Sequence, residues 1–228
     1  GMDLARLPDS AVLHEEIAKL LIKNNHQASA RVRLTVYRGG GGLYRSESDT
    51  PGFFIESDSL DGPGYDINPR GLLVDVFSDV PKPINALSGF KTANALIYVL
   101  AANHARKSGL DDCLLLNTDG FLAEACSSNL FMVMDGKILT PGPDQGCVMG
   151  IMRRQILRIL ARHKQEVEEV PLHPTDLEYA SEVFITNAVK GVQWIGGYKS
   201  KRYFNQVSKQ LLVCLNEARL DYLSKVRL

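Results

Sequence analysis

The stretch GFLAEACSSNLFMVMDGKIL, residues 120–139, carries the strongest signal for the fold. Its apolar segments FLAEA and NLFMVM are separated by small polar residues, and Asp135-Gly136 separates the second segment from KIL. An Asp-Gly pair between apolar segments is a strong signal of a two-residue β-hairpin turn. The stretch therefore predicts short strands joined by tight turns, and DCLLLN at 112–117 predicts one more strand before them.

Helices and further strands are predicted on both sides of this region. Asp9 or Ser10 is a predicted N-cap, and apolar residues at helical spacing follow it. Helices are predicted at 11–24, 92–107, 150–163 and 205–224, and strands at 31–37, 52–56, 71–77, 166–170 and 181–187. Because helices and strands mix without strict βαβ alternation, the predicted class is α+β.

Two of these helices carry specific predictions. Between 92 and 107 the apolar residues predicted to face inward are Ala93, Leu96, Ile97 and Leu100, which puts Lys91 at the helix entrance. Between 150 and 163 the residues predicted to face inward are Ile151, Ile156, Ile159 and Leu160. The turn-rich stretch 46–70 is the best linker candidate, and the predicted domains are 1–66 and 67–228.

Composition excludes several classes of protein. The 228 residues include 26 basic and 26 acidic side chains, so no net field favours nucleic acid or an anionic membrane. The four cysteines show no CxxC or Cys/His ligand spacing, which indicates reduced thiols and no metal site. No apolar run reaches the roughly 20 residues of a membrane span, and we expect a cytoplasmic protein. A GxSxG nucleophile elbow and a P-loop are absent from the sequence.

Five pieces of the sequence make chemical sense together. They are Lys91 in SGFKTANAL, Glu124, Thr140-Pro141, the helix opening GIMRR at 150–154, and ITNAV at 185–189. Their order and spacing resemble the class-IV aminotransferases, which are fold-type IV enzymes that use pyridoxal phosphate. GIMRR and ITNAV are most similar to the aminodeoxychorismate lyases within that family.

The resemblance implies a two-domain fold of the D-amino-acid aminotransferase type. Residues 1–66 would be the remainder of a truncated smaller N-terminal α+β domain, because the family carries a further strand-rich segment before it. Residues 67–228 would be the larger domain with Lys91 as the Schiff-base lysine and Glu124 facing the pyridine nitrogen. A partly desolvated lysine with a lowered pKa suits both imine formation and proton removal.

The same resemblance implies the other binding residues. The cofactor phosphate would bind backbone amides of Ile151 and Met152 together with Asn187 or Ala188, where a helix N-terminus favours an anion. Met152 supplies no hydroxyl, unlike the threonine of the related aminotransferases. Arg45, or less favourably Arg38, would hold a substrate carboxylate, for which the planar guanidinium fork is suited.

The sequence leaves three functions open. The leading hypothesis is conversion of 4-amino-4-deoxychorismate to 4-aminobenzoate and pyruvate, a folate precursor step, by a homodimer. The alternatives are an amino-acid aminotransferase of branched-chain or D-amino-acid type and a catalytically silent relative. Without the resemblance, Lys91 is a solvated lysine, Glu124 a strand-surface carboxylate, and the arginines are surface residues.

Overall fold

The computed structural model describes residues 2–26 and 29–226, and its contacts divide the chain into two units. The first unit is Gly1–Gly64 and the second is Tyr65–Leu228. This division lies two residues before the predicted boundary between 66 and 67. That the first unit is the remainder of a smaller catalytic domain stays a prediction.

The described part of the first unit contains one α-helix, the short 3-10 helix Leu4–Arg6 and one β-hairpin. Helix α1, Ser10–Lys23, begins where predicted, and the side chain of Asp9 caps it by accepting a hydrogen bond from the Val12 amide at 2.9 Å. Strands β1, Ala30–Arg38, and β2, Pro51–Ser59, pair antiparallel over their full length. The strand predicted around GFFIE is therefore nine residues long, because every β2 residue has a partner on β1.

The second unit contains a mixed sheet of nine strands. Its strands are β3 Leu72–Lys82, β4 Asp112–Asn117, β5 Leu122–Ala125, β6 Asn129–Met134, β7 Lys137–Thr140, β8 Val167–Glu169, β9 Glu182–Asn187, β10 Gly191–Tyr198 and β11 Lys201–Arg202. The order across the sheet is β5-β4-β3-β10-β9-β6-β7-β8, and β11 pairs with β10. Four helices accompany it, α2 Leu96–Lys107, α3 Ile151–Arg162, α4 Asp176–Tyr179 and α5 Gln206–Val226. The predicted α+β class is confirmed.

The hairpin predicted at Asp135-Gly136 is present between β6 and β7. Both residues have positive φ angles, 48° and 78°, as a type I′ turn requires. The turn places Met134 opposite Lys137 and so fixes the register of the hairpin. A local signal of two residues therefore determines this part of the sheet.

Apolar side chains pack on both faces of the sheet. One cluster includes Leu114, Leu130 and Ile185, and another joins Phe131 and Phe184 to α3 and α5. The Phe131 and Phe184 rings are stacked with centroids 5.1 Å apart. Strands with buried side chains on both faces account for the near-continuous apolar runs of the sequence.

Several predictions on the second unit are wrong in detail. Helix α2 begins at Leu96 rather than Thr92, so Lys91 lies five residues before its first residue and not at its entrance. Its buried residues are Ala101 and Ala105, whereas Leu96 and Leu100 are exposed.

Further elements also differ from the prediction. In α3, Ile151 is exposed and Met152 is buried in its place. Strand β3 continues five residues past the predicted end at 77. Strand β10 and helix α4 are additional elements.

Candidate active site

Glu124 is the centre of the candidate site. It lies in β5, whose four residues are all buried because β4 pairs alongside them. Its Oε1 accepts a hydrogen bond from the Tyr98 hydroxyl at 2.7 Å and contacts the Lys82 ammonium, while its Oε2 accepts one from the Val148 amide at 2.9 Å. We call Glu124 and these three donors the Glu124 cluster. The alternative of a strand-surface carboxylate does not hold, since Glu124 is only 3% exposed.

Lys82 is the site residue that sequence reasoning missed. It is the last residue of β3, and its side chain is only 6% exposed. Its ammonium also donates to the Ser88 carbonyl at 3.3 Å and lies 5.4 Å from the centroid of the Tyr98 ring. Carbonyl, carboxylate and aromatic face are all attractive partners for a lysine side chain. In the sequence this lysine stands between two prolines beyond the predicted strand end, so no periodic signal marked it.

Two uncharged titratable groups lie in this part of the chain: Tyr98 bonds Glu124, and the Cys147 thiol donates to the Pro141 and Gly142 carbonyls at 3.4 Å. Burial, and next the negative charge of Glu124, raise the pKa of Tyr98 far above its usual range, so this hydroxyl stays protonated and donates a hydrogen bond to Glu124. Burial also raises the pKa of the Cys147 thiol to about 11. Lys82 and Glu124 are therefore the charged groups in contact at this point of the site.

Lys91 lies in the connection between β3 and α2, and its side chain is exposed. Two residues before it, the Gly89 carbonyl accepts a hydrogen bond from the Met149 amide at 2.9 Å. Within residues 2–26 and 29–226, no carboxylate pairs with the Lys91 ammonium. The connection that carries Lys91 is thus fixed to the segment just before α3.

Residues Val148 to Gly150 join the separate parts of the site. The Val148 amide donates to Glu124, its carbonyl accepts from the Asn129 side chain at 2.7 Å, and the next amide donates to Gly89. A Cβ on Gly150 would overlap Oδ1 of Asn129, so only glycine fits there without rearrangement. This segment holds Glu124, the chain beside Lys91 and the start of α3 together.

The first turn of α3 presents donors that the rest of the described chain does not use. The amides of Ile151, Met152 and Arg153 have no acceptor among the described residues, and Gly150 has no side chain to cap them. Helix α3 is 12 residues long, so its dipole adds to the attraction of these amides for an anion. The Met152 side chain is buried in the apolar cluster against α5, which leaves only backbone groups at this end.

The end of β9 lies beside the β5–β6 connection. The Asn187 side chain donates to Ser128 Oγ at 2.9 Å and accepts from the Val189 and Lys190 amides at 2.9 and 2.8 Å. The Asn187 side chain thus stabilises the turn. The Ala188 carbonyl accepts from the Tyr65 hydroxyl at 3.1 Å. Thr186, paired with Asn129 across the strands, has a buried hydroxyl without a hydrogen-bond partner among the described residues.

Arg38 and Arg45 belong to the first unit. Arg38 ends β1 and pairs with Asp49, and Arg45 is an exposed residue of the loop after the glycine run. Their predicted contact with a substrate carboxylate stays a prediction.

The described residues contain no candidate metal site and no membrane span. No group of three or more His, Cys, Asp or Glu side chains among them is arranged to hold a metal ion. No described helix is both long and apolar enough to cross a bilayer.

Comparison with known proteins identifies the family. The family model described as amino-transferase class IV matches residues 2–196. The chain belongs to the class-IV aminotransferase family. This finding confirms the resemblance predicted from Lys91, Glu124 and the motifs around them, although it does not test the role of either residue.

Two curated relatives and one solved structure illustrate the similarity. A probable branched-chain-amino-acid aminotransferase of Aquifex aeolicus is 36% identical over 46% of this chain and 34% of its own length. An aminodeoxychorismate lyase of Vibrio harveyi is 30% identical over 74% of this chain and 63% of its own length. A Brucella abortus aminotransferase crystallised with the cofactor PLP superposes with a TM-score of 0.77 at 22% identity, covering 91% of this chain and 75% of that one.

The structural match shows that the class-IV chain has the fold of the fold-type IV aminotransferases. The chain spans less than two thirds of the Aquifex and Vibrio relatives.

Proposed function

We propose that this class-IV chain binds pyridoxal phosphate and converts 4-amino-4-deoxychorismate to 4-aminobenzoate and pyruvate. The observation that carries the proposal is the segment Val148–Gly150, which hydrogen-bonds Glu124, Gly89 and Asn129 and leads into α3. It brings a buried carboxylate, the chain next to Lys91 and a set of free helix amides into one region. The family and the PLP-bound Brucella structure support the cofactor.

The residues present fit pyridoxal phosphate by their chemistry. The unpartnered amides of Ile151, Met152 and Arg153 suit a phosphate, and the orphaned buried hydroxyl of Thr186 is one more polar group near the end of β9. The buried carboxylate of Glu124 suits a pyridine nitrogen. When bound, the cofactor supplies an electron-withdrawing ring that stabilises negative charge on the substrate carbon bearing nitrogen.

The chain's own residues have distinct parts in this proposal. The Ile151 and Met152 amides bind the phosphate, while Glu124 orients the ring through its nitrogen. Asn187 or Ala188 completes the phosphate site through the backbone, because the Asn187 side chain is committed to its turn. Lys91 would hold the cofactor, and its free amine would take the proton from the substrate carbon that bears nitrogen.

The presence of Lys82 raises the question of which lysine is available to the cofactor. The Lys82 side chain is buried and already contacts Glu124 and the Ser88 carbonyl. Lys91 has no carboxylate partner in the described part of the chain. The geometry therefore favours Lys91 as the attachment point and gives Lys82 another task.

The assignment is tested by mapping the attached lysine. The protein is incubated with pyridoxal phosphate, reduced with borohydride, digested and analysed by mass spectrometry. We expect the label on Lys91 in the wild type and its loss in Lys91→Ala, with full labelling in Lys107→Ala, an exposed lysine at the end of α2. Label on Lys82 would overturn the assignment, and no label on any lysine would support the silent relative.

An aminotransferase is the second candidate, favoured by the Aquifex relative. The lyase reaction needs no second substrate, whereas the aminotransferase reaction needs a keto acid that accepts the amino group. Pyruvate released from 4-amino-4-deoxychorismate without any keto acid, followed with lactate dehydrogenase, would support the lyase. Turnover of leucine that requires 2-oxoglutarate, without release of pyruvate, would establish the aminotransferase instead.

We also propose that the protein forms a homodimer, because apolar side chains are exposed near the candidate site. Large apolar side chains are exposed around the connection that carries Lys91, among them Leu87 and Phe90 at 67% and Met149 at 64%. Exposed apolar groups in this number are typical of a surface that another chain covers. Sedimentation equilibrium should give twice the mass of the chain, and a monomer at micromolar concentration would contradict the proposal.

A further inference from the structure

The carboxylate of Glu124 is already largely occupied by the protein. An ionised carboxylate offers about four acceptor positions, and Lys82, Tyr98 and Val148 use three of them. Only one position is left for another donor. The donor that the proposed function brings to Glu124 is the ring nitrogen of the cofactor.

The charge of Glu124 is also already compensated. Lys82 and Glu124 are buried, with side chains 6% and 4% exposed, so solvent screens their attraction only weakly. The Tyr98 hydroxyl, which donates to the same carboxylate at 2.7 Å, is neutral at pH 7. The buried Arg153 guanidinium donates to the Pro141 carbonyl and to Glu169, both at 2.9 Å, so its hydrogen bonds go to other acceptors.

A protonated ring nitrogen would therefore approach the Glu124 carboxylate, which already forms an ion pair with the Lys82 ammonium. Two cations at one buried carboxylate repel each other, and the repulsion favours the neutral form of the weaker base. Pyridine is a weaker base than an alkyl amine, so the repulsion disfavours the proton on the ring nitrogen.

We propose that Lys82 is a positioning residue that neutralises Glu124 and so reduces the preference of the site for a protonated cofactor ring. The proposal rests on the proposed function, since it requires the ring to bind at Glu124. Its consequence is a ring that withdraws electrons less strongly than one held by an uncompensated glutamate. Glu124 would then mainly orient the ring and would contribute less to keeping the ring nitrogen protonated.

Binding of three non-covalent probes tests the proposal without measuring activity. The probes are pyridoxamine 5′-phosphate, its 1-deaza analogue with carbon in place of the ring nitrogen, and its N-methyl analogue with a fixed positive charge. None of them has an aldehyde, so Lys91 cannot attach to them. Dissociation constants are measured by equilibrium dialysis at pH 7.5 for the wild type, Lys82→Met and Lys82→Arg.

In the wild type we expect the N-methyl probe to bind no more tightly than the deaza probe. In Lys82→Met, Glu124 lacks its cation. The affinities of the parent probe, pyridoxamine 5′-phosphate, and of the N-methyl probe should therefore each rise at least about tenfold relative to that of the deaza probe. Lys82→Arg keeps the positive charge and should behave like the wild type. A lysine with only a structural role would weaken all three probes alike.

Two results would overturn the proposal. One is an unchanged ratio of parent to deaza probe in Lys82→Met. The other is a wild type that prefers the N-methyl probe tenfold, which decides the question even if Lys82→Met does not fold. If none of the probes binds any of the proteins, the proposed cofactor site itself is wrong, and the inference about Lys82 is overturned with it.

Discussion

Gly150 lies so close to Asn129 that a Cβ on the glycine would overlap the amide oxygen of the asparagine side chain. The backbone angles of Gly150, φ −62° and ψ 141°, suit any residue, so the space and not the conformation requires glycine. The asparagine is held in place because its nitrogen donates to the Val148 carbonyl at 2.7 Å. This contact couples the start of α3 to the segment that hydrogen-bonds Glu124.

Gly150→Ala should destabilise the protein by about 1–3 kcal/mol, the usual cost of overpacking a filled site. Urea unfolding measures the change. Gly89→Ala is a matched control in the same region, since its Cβ would lie 3.4 Å from Met149 Cγ, an ordinary contact. We expect the control to change the free energy of unfolding by less than about 0.5 kcal/mol.

A double-mutant cycle separates this contact from other effects of the alanine. In an Asn129→Ala background the overlap is gone, so Gly150→Ala should cost much less than in the wild type. Equal costs in the two backgrounds would show that Asn129 is not the reason for the glycine.

Tyr98→Phe should alter stability in a pH-dependent way. At pH 7 the variant loses a hydrogen bond to a charged group, worth about 1.5–3 kcal/mol. In the unfolded chain tyrosine ionises near pH 10, whereas the raised pKa keeps Tyr98 protonated in the folded protein. The folded state then binds more protons than the unfolded state, so the free energy of unfolding contributed by Tyr98 falls as the pH rises above about 10.

The measurement is urea unfolding between pH 7 and 11. The wild type should lose up to about 1.4 kcal/mol per pH unit more than Tyr98→Phe above pH 10. Tyr179→Phe, at a tyrosine that is 75% exposed, should follow the wild type. Parallel curves for wild type and Tyr98→Phe would argue against a neutral, hydrogen-bonded Tyr98.

The elements that the sequence predicted well are those with local signals. Asp9 before an apolar stripe gave the start of α1, and Asp135-Gly136 gave the β6–β7 hairpin. Both depend on backbone preferences of a few adjacent residues, which are visible without knowledge of distant contacts. Glu124 was found in a similar way, through the motif around it.

Lys82 and the start of α2 were missed because distant contacts determine them. The burial of Lys82 depends on Glu124, 42 residues later, and on the extension of β3 past the predicted strand end. The connection before α2 is bonded to Met149 through Gly89, and Thr92 and Ala95 make local turn hydrogen bonds to Phe90 and Ala93 outside the helix. The spacing of residues along the sequence does not reveal contacts between residues that are far apart in the chain.

Glu182→Ala should destabilise the second unit by about 2–3 kcal/mol. This carboxylate is 4% exposed and accepts hydrogen bonds from the Val207 amide at 3.0 Å and the Ser208 amide at 3.3 Å, at the start of α5. Its loss leaves buried amides without partners and removes a negative charge from the positive end of the helix. Glu217→Ala, at an exposed position of the same helix, is the control for thermal and urea unfolding.

Alkylation should distinguish the buried thiols of Cys113 and Cys147 from the partly exposed Cys126 and Cys214. Cys113 and Cys147 are 0% and 1% exposed, and burial raises the pKa of each thiol to about 11. Because the thiolate is the reactive form, iodoacetamide at pH 8 should leave both unmodified in the native protein and label them in urea. Rapid native labelling of Cys147, read by peptide mass spectrometry, would contradict its packed position beside the Glu124 cluster.

The two loop arginines should differ in their effect on substrate binding. Arg38 already pairs with Asp49, whereas no carboxylate in the described part of the chain pairs with Arg45. If Arg45 holds the substrate carboxylate, Arg45→Gln should raise KM about tenfold or more with little change in kcat, because it removes a bidentate ion pair. Arg38→Gln should change KM less than about threefold. The reverse pattern in steady-state kinetics would assign the role to Arg38 and imply that its bond to Asp49 opens when substrate binds.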